Sequence, residues 1–463
     1  MENLAIEYKG GKLNVFHLAM INVIAVDSLK TLPVAAKLEF SLLFYFLVAA
    51  VTFFIPVGLI AAELATAWPK KGGSYVWVKE AFGARTGFLV VWIQWLYNVA
   101  WYPTILSLVA GTIAHVFFPH LENSASYMVI AVLGMYWFST LINLFGMRAS
   151  SFVSTIGALF GTLLPMGLII MLAGYWLMQG NASTIEFSTQ KFFPDSNELS
   201  SAAYFTAIIY GLIGLEMSAI HANDVENPSK DYPKALLLSA TLILFSLSFA
   251  SLAIAVVIPK NDLNIITGLI QAFSFFFDSL NMPYMTSIIA IAIAVGGIAS
   301  VATWTIGPSK GLLVASLDTT SIKSLTKENK FGAPINILIA QGIICSLLSL
   351  LYLLIPAIQG AYWVLSAITV QLALIMHVIL FSAGIKLRYS KPNVKRPFKI
   401  PGGNYGMNIA GSLGILSSLF GIMIGFIPPK GIDVGNNTAF QLILIIGILL
   451  VCLPPLLYGR KEK

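Results

Sequence analysis

The sequence predicts an all-α membrane protein of about twelve transmembrane helices, and three observations carry that prediction. First, 57% of the 463 residues are hydrophobic and only 10% are charged. A soluble domain carries roughly a quarter charged residues, because water must wet its surface. Second, apolar runs long enough to cross a bilayer recur along the whole chain, each bounded by charge, Pro or Gly. Third, Lys and Arg gather in alternate loops, as the positive-inside rule requires.

A crossing helix needs about 20 apolar residues. The first five such runs fall at 13–35, 41–65, 86–118, 126–146 and 151–178. The next five fall at 201–222, 235–258, 279–307, 334–356 and 361–385, and the last two at 406–428 and 437–458. The intervening loops, the longest near 179–200, 259–278, 308–333 and 386–405, leave no room for a soluble domain. The whole of 1–463 therefore reads as one transmembrane unit.

With the N-terminus placed in the cytoplasm, 22 of the 27 Lys and Arg residues fall on the cytoplasmic side. The other five, Lys30, Lys37, Lys191, Lys260 and Lys430, lie in or near the opposite side. A span missed early would move every later loop, so this distribution supports an even count with both termini cytoplasmic. The net charge of +7 sits in loops between apolar runs and gives no reason to expect a nucleic-acid partner. Met1 to Lys12 shows no small-residue cleavage site, so no removable signal peptide is expected. Cys345 and Cys452 have neither metal-site nor disulfide spacing and read as small buried hydrophobes.

Ionisable groups inside spans are costly and tend to mark function. Asp27, Glu63 and Glu216 meet that description, with His17, His221 and His377 as weaker candidates. The first span runs through Val26-Asp27-Ser28-Leu29-Lys30-Thr31-Leu32-Pro33, and the sixth through Tyr210-Gly211-Leu212-Ile213-Gly214-Leu215-Glu216. Each places polar residues or Gly in mid-membrane beside a carboxylate. If the first ten spans are two repeats of five, these two spans correspond, and corresponding interrupted helices are the sequence pointer to a solute site. A zwitterion suits such breaks, because its carboxylate takes freed N–H groups and its ammonium takes freed carbonyls. Structural roles compete with this reading. Asp27 and Lys30 are three apart and would pair on a continuous helix face, and Glu216 would serve as an N-cap for the second half of its helix. In the third span Gln94, Asn98 and Trp101, with Pro103, either line a pathway or bind helices together.

At these residues the chain resembles the amino acid–polyamine–organocation superfamily, and within it the bacterial glutamate/GABA antiporter family. The likeness runs in order through Phe54-Ile55-Pro56-Val57-Gly58 to Glu63 and on to Pro69, Gly72, Gly73 and Tyr75. It continues through Gly214-Leu215-Glu216, His221, Asn223, Asp224, Asn227-Pro228 and Asp231-Tyr232-Pro233. Trp304-Thr305-Ile306-Gly307-Pro308-Ser309-Lys310-Gly311 and Lys399-Ile400-Pro401-Gly402-Gly403 complete it.

The resemblance implies a repeat of five helices over 13–178, an inverted copy over 201–385, two added helices over 406–458, and alternating access in a bacterial inner membrane. It implies a small-molecule substrate, an amino acid or its decarboxylated amine, and no cofactor. By position it carries the substrate loop of the first span to Ile24, Val26, Asp27 and Ser28. It carries the contacts of the sixth span to Tyr210, Ile213 and Glu216, and the covering aromatic of the eighth to Trp304. An interfacial anchor near a basic loop is the competing reading of Trp304.

Three departures from the family pattern stand out. A Gly-Ser-Gly-like loop is replaced by Val26-Asp27-Ser28. The fifth span lacks the Lys of some proton-coupled relatives, with Thr155 near that position. The chain stops at Lys463, without the C-terminal plug of the antiporter it resembles. With Ser300 where a carboxylate would be expected, glutamate is not assigned as substrate. An antiporter is the leading reading, and proton- or cation-coupled uptake through Asp27 or Glu216 is the alternative. An enzyme would need a nucleophile–base pair or a metal cluster, a channel a ring of filter groups, and a receptor an output segment. None is evident in the sequence.

Overall fold

In a computed structural model the described residues are 14–69, 72–144, 157, 159–194, 203–216, 227–319 and 323–458. Among them the regular structure is helical throughout. His221, Asn223, Asp224 and Thr155, singled out above, lie outside the described residues. Ten helices are long and apolar enough to cross a membrane, and the bent pair at the start of the chain raises the number to eleven. The sixth expected span is described from residue 203 to 216.

The helices follow the apolar runs. The first span is α1 (Val15–Val26) and α2 (Leu32–Ala36), joined through a 3₁₀ turn. Next come α3 (Glu39–Ala67), a short α4 (Ser74–Phe82), α5 (Ala84–Phe117), α6 (Ala125–Leu144) and α7 (Leu159–Met178). The second half holds α8 (Ala203–Gly211), α9 (Pro228–Val257), α10 (Gly268–Ser279), α11 (Tyr284–Thr319), α12 (Ile335–Leu354) and α13 (Ile358–Ser390). The added pair is α14 (Gly403–Ile424) and α15 (Asn437–Tyr458).

Helices α5 and α13 are buried nearly all round and form the centre of the bundle, whereas α15 presents most of its surface outward. Lipid tails are as apolar as Leu, so close backbone approach and shared hydrogen bonds must hold such a bundle together. Helices α7 and α11 cross at Gly161 and Gly296, where a Cβ built on Gly161 would lie 2.1 Å from the Gly296 Cα.

Prolines shape the spans in a readable way. A proline inside a helix removes one N–H and crowds the carbonyl four residues back. Before Pro56 the helix widens into a π-turn over Ala50–Phe54, and the Thr52 carbonyl, which Pro56 leaves unpaired, accepts from Ser417 Oγ at 3.1 Å. A second π-turn, Leu159–Leu163, precedes Pro165.

Two loops hold helices that the span count did not anticipate. Helix α4 buries Tyr75, Trp77 and Val78, and α10 buries Leu269, Ile270, Phe273, Phe276 and Phe277. Both are too short to cross a bilayer, so a search for spans passes over them. The eighth span also starts later and runs further than expected, to Thr319 instead of 307. Pro308 does not end it, because neighbouring side chains take up the freed carbonyls.

The end of the bundle that carries most of the basic residues is tied by ion pairs. Glu63 Oε2 accepts from Arg388 Nη2 and from the Ile400 amide, both at 2.9 Å, while Glu63 Oε1 lies 3.1 Å from Arg396 Nε. Asp318 at the end of α11 takes the Tyr75 hydroxyl and the Lys79 ammonium of α4. Glu63 is thus the anchor for the segment between α13 and α14, away from the two interrupted helices.

Candidate functional site

The chain breaks where the sequence is weakest as a helix. Helix α1 ends at Val26, Asp27 and Ser28 are extended, and α2 leaves at 47° to α1. Pro33, in the first turn of α2, has no N–H for the Leu29 carbonyl, and the chain past the break restarts as a 3₁₀ turn whose Leu32 amide takes that oxygen. In the opposing span α8 ends at Gly211. It is followed by tight turns in which the Leu212 amide donates to the Ile209 carbonyl (3.0 Å) and the Ile213 amide to the Tyr210 carbonyl (3.2 Å). Gly214 then takes a φ of 126°, a conformation that suits glycine. A Cβ there would sit 3.3 Å from the Ala25 carbonyl oxygen, so the two breaks pack directly against each other.

Between the breaks lies a partly open crevice. Of the residues expected at a site, Ile24, Val26, Asp27, Ser28, Tyr210, Ile213 and Trp304 line it, and Asn98 and Trp101 of α5 join them. Lys30, Thr31, Tyr97, Gly214 and Ser300 also line it.

Asp27 is only 7% exposed, and the single Ser246 hydroxyl of α9 lies within hydrogen-bond distance of both its carboxylate oxygens, at 2.9 and 3.1 Å. Asn22 of α1 donates to Ser239 Oγ, two turns earlier on the same helix, at 3.0 Å. Ser239 and Ser246 therefore share one face of α9 and hold the end of α1 to it. The pairing of Asp27 with Lys30 is not formed. It requires a continuous helix, and the break lies between the two residues. Lys30, counted from the sequence with the opposite-side charges, is instead 2% exposed inside the bundle. Its ammonium donates to Thr104 Oγ1 at 2.9 Å and lies 4.2 Å from the centre of the Tyr210 ring. The Lys30 carbonyl accepts from the Tyr362 hydroxyl at 2.8 Å, which satisfies a group the break leaves without a helical partner.

Trp304 is held by its backbone. Pro308, four residues on, has no N–H for the Trp304 carbonyl, and the Tyr102 hydroxyl donates to that oxygen at 2.8 Å. Its ring meets Trp101 edge-on at 6.3 Å. Helix α11 continues well beyond Trp304, which is half-buried and lines the crevice.

Two expected residues lie off the crevice wall. Gln94 Oε1 accepts from Ser74 Oγ at 3.3 Å and ties α5 to α4, as helix glue would. Glu216 is 3% exposed, and its Oε2 accepts from the Gly214 amide at 3.2 Å while lying 3.6 Å from His377 Nε2 of α13. With His377 Nδ1 donating to the Ala373 carbonyl at 2.8 Å, the Nε2 and carboxylate lone pairs repel unless a proton lies between them. Glu216 thus props the Gly214 turn from behind and reaches across to His377. The N-cap reading concerns residues outside those described. His17 sits in the first turn of α1, where its amide and its ring meet Asn14 Oδ1, both at 2.9 Å.

The sequence reading passed over Lys30, Thr31, Tyr97 and Ser246. The signal for Lys30 was present, since it is an ionisable residue three positions from Asp27, but reading the two as a pair on one helix face hid it. Tyr97 and Ser246 carry no local signal, because the packing of α5 and α9 alone brings them to the breaks.

The chain is similar along nearly its whole length to known transport proteins. The amino acid permease family matches residues 13–449. An uncharacterised transporter of Legionella pneumophila is 49% identical over 450 residues, which are 97% of each chain. A glutamate/gamma-aminobutyrate antiporter of Lactococcus lactis is 29% identical over 459 residues, covering 98% of this chain and 91% of that one. A probable agmatine/putrescine antiporter of the same species is 26% identical over 432 residues, covering 93% and 90%.

Proposed function

Because the chain belongs to the amino acid permease family, we propose that it is an antiporter that exchanges one amino acid for another, or for its decarboxylated amine, across the bacterial inner membrane. The observation that carries this reading is the crevice between two helices broken opposite one another, walled by Asp27, Lys30 and the rings of Trp101, Tyr210 and Trp304. Broken helices at mid-membrane offer backbone groups to both ends of a zwitterion. The aromatic rings cover an aliphatic chain or face an ammonium. Relatives named as exchangers of amino acids and amines support the same solute class.

Transport proceeds in this reading by rocking of the first, second, sixth and seventh spans against the remainder, about a site shared by two five-helix repeats. Ile24, Val26, Asp27, Ser28, Tyr210, Ile213 and Trp304 form the substrate wall, with Asn98 and Trp101 beside them. Glu216 supports the wall through Gly214. Both termini face the cytoplasm, in keeping with the distribution of Lys and Arg.

The test is uptake of a labelled amino-acid panel by purified protein in liposomes, preloaded with single amino acids or left empty. Uptake confined to preloaded vesicles supports exchange. Equal uptake into empty vesicles that collapses with an uncoupler supports the second reading, coupled uptake, which the buried Asp27 carboxylate on the crevice wall favours.

A further inference from the structure

The break in the first span carries an acid and a base, Asp27 and Lys30, that do not pair with each other. The Ser246 hydroxyl is the donor found for Asp27, and Lys30 has no ion pair with any described carboxylate. An ammonium has three hydrogens to donate. The protein acceptor found for Lys30 is Thr104 Oγ1, and the Tyr210 and Tyr362 rings, at 4.2 and 5.9 Å, provide a weaker cation–π environment. A cation withdrawn from water without a counter-ion is costly, and an anion brought to it removes much of that cost. Lys30 lines the substrate crevice, so an anion that enters there can reach it.

Resting on the antiporter reading above, we infer that Lys30 binds the carboxylate of the transported solute and makes the crevice selective for carboxylate-bearing amines over di- and polyamines that lack one, which narrows the exchanged amine to one that keeps a carboxylate. A zwitterion finds one charge of each sign, at Asp27 and Lys30. A diamine gains only Asp27 and brings no acceptor for the Lys30 amine.

Matched ligands test this with the full-length protein. γ-Aminobutyrate, γ-aminobutyramide and putrescine, and leucine with leucinamide, are compared as competitors of exchange and as stabilisers of the detergent-purified protein against heat. The wild type is expected to take each carboxylate about 10- to 100-fold more tightly than its amide or diamine, the range for a hydrogen bond to a charged group. Lys30→Gln should close that gap, and Lys30→Arg should keep it. A wild type that binds putrescine or leucinamide as well as the acids overturns the inference, as does a Lys30→Gln protein that retains the gap. If Lys30→Gln does not fold, the wild-type comparison and Lys30→Arg still decide. Carboxylate-dependent heat stabilisation without exchange refutes the antiporter reading and supports the role of Lys30, so the two failures are distinct.

Discussion

Replacing Gly214 by Ala tests whether the contact between the two breaks sets the shape of the crevice. Gly214 has a φ of 126°, and an added Cβ would stand 3.3 Å from the Ala25 carbonyl oxygen and 3.5 Å from Val26 Cγ2. Backbone strain of this kind costs about 1–3 kcal/mol. The backbone must either bear that cost or relax, and relaxation moves Ile213 and Gly214 on the crevice wall and loosens the amide bond to Glu216. If the strain falls on the substrate-bound state, 1–3 kcal/mol corresponds to a loss of about 5- to 150-fold in apparent affinity. The assay is the initial rate of exchange in liposomes across a substrate series, normalised to inserted protein, with melting in detergent alongside. Gly134→Ala is the control, since a Cβ there meets nothing within 4 Å and the position is helical. That change should leave exchange intact and stabilise the helix by up to about 1 kcal/mol. Wild-type affinity and melting in Gly214→Ala would refute the argued contact between breaks, and equal damage from Gly134→Ala would refute its specificity.

Three further outcomes are expected. Glu63→Gln leaves the Arg388 and Arg396 guanidiniums facing a neutral amide, so the protein should lose about 3–5 kcal/mol of stability, read as a lower melting point in detergent; an unchanged melting point refutes the anchor. Asp27→Asn keeps an oxygen for Ser246 but removes the charge, so solutes carrying an ammonium should weaken about tenfold while the fold persists; unchanged affinity makes Asp27 a purely structural partner of α9. Outside the spans, His115 beside Glu122, together with the Thr267 hydroxyl, holds the Glu122 carboxyl below its ordinary pKa of 4.5. A depressed carboxyl adds stability above its ordinary pKa and loses it as pH falls through the depressed value. The contact is part-exposed and small, under about 1 kcal/mol, so the difference in melting between wild type and Glu122→Gln should shrink in acid. A difference that grows in acid would contradict the sign.

The sequence by itself determined the solvent, the fold class and the places where helices fail. Apolar length is a local property, which is why runs such as 86–118 and 334–356 return as α5 and α12 nearly residue for residue. The breaks were legible for the same reason. Pro33 and Gly214 act on their own backbone, whatever surrounds them. Tertiary structure decided what the polar residues do, because a buried charge takes its meaning from its partner. Asp27, Glu63 and Glu216 look alike in sequence, as carboxylates in apolar runs. Packing gives the first a serine from α9 and a place on the crevice wall, the second two guanidiniums at the basic end, and the third a histidine from α13. Lys30 shows the same division most sharply. Its sequence neighbours suggest a helix-face ion pair, and only the 47° bend and the arrival of Thr104, Tyr210 and Tyr362 from three other helices leave it a buried amine on the crevice wall.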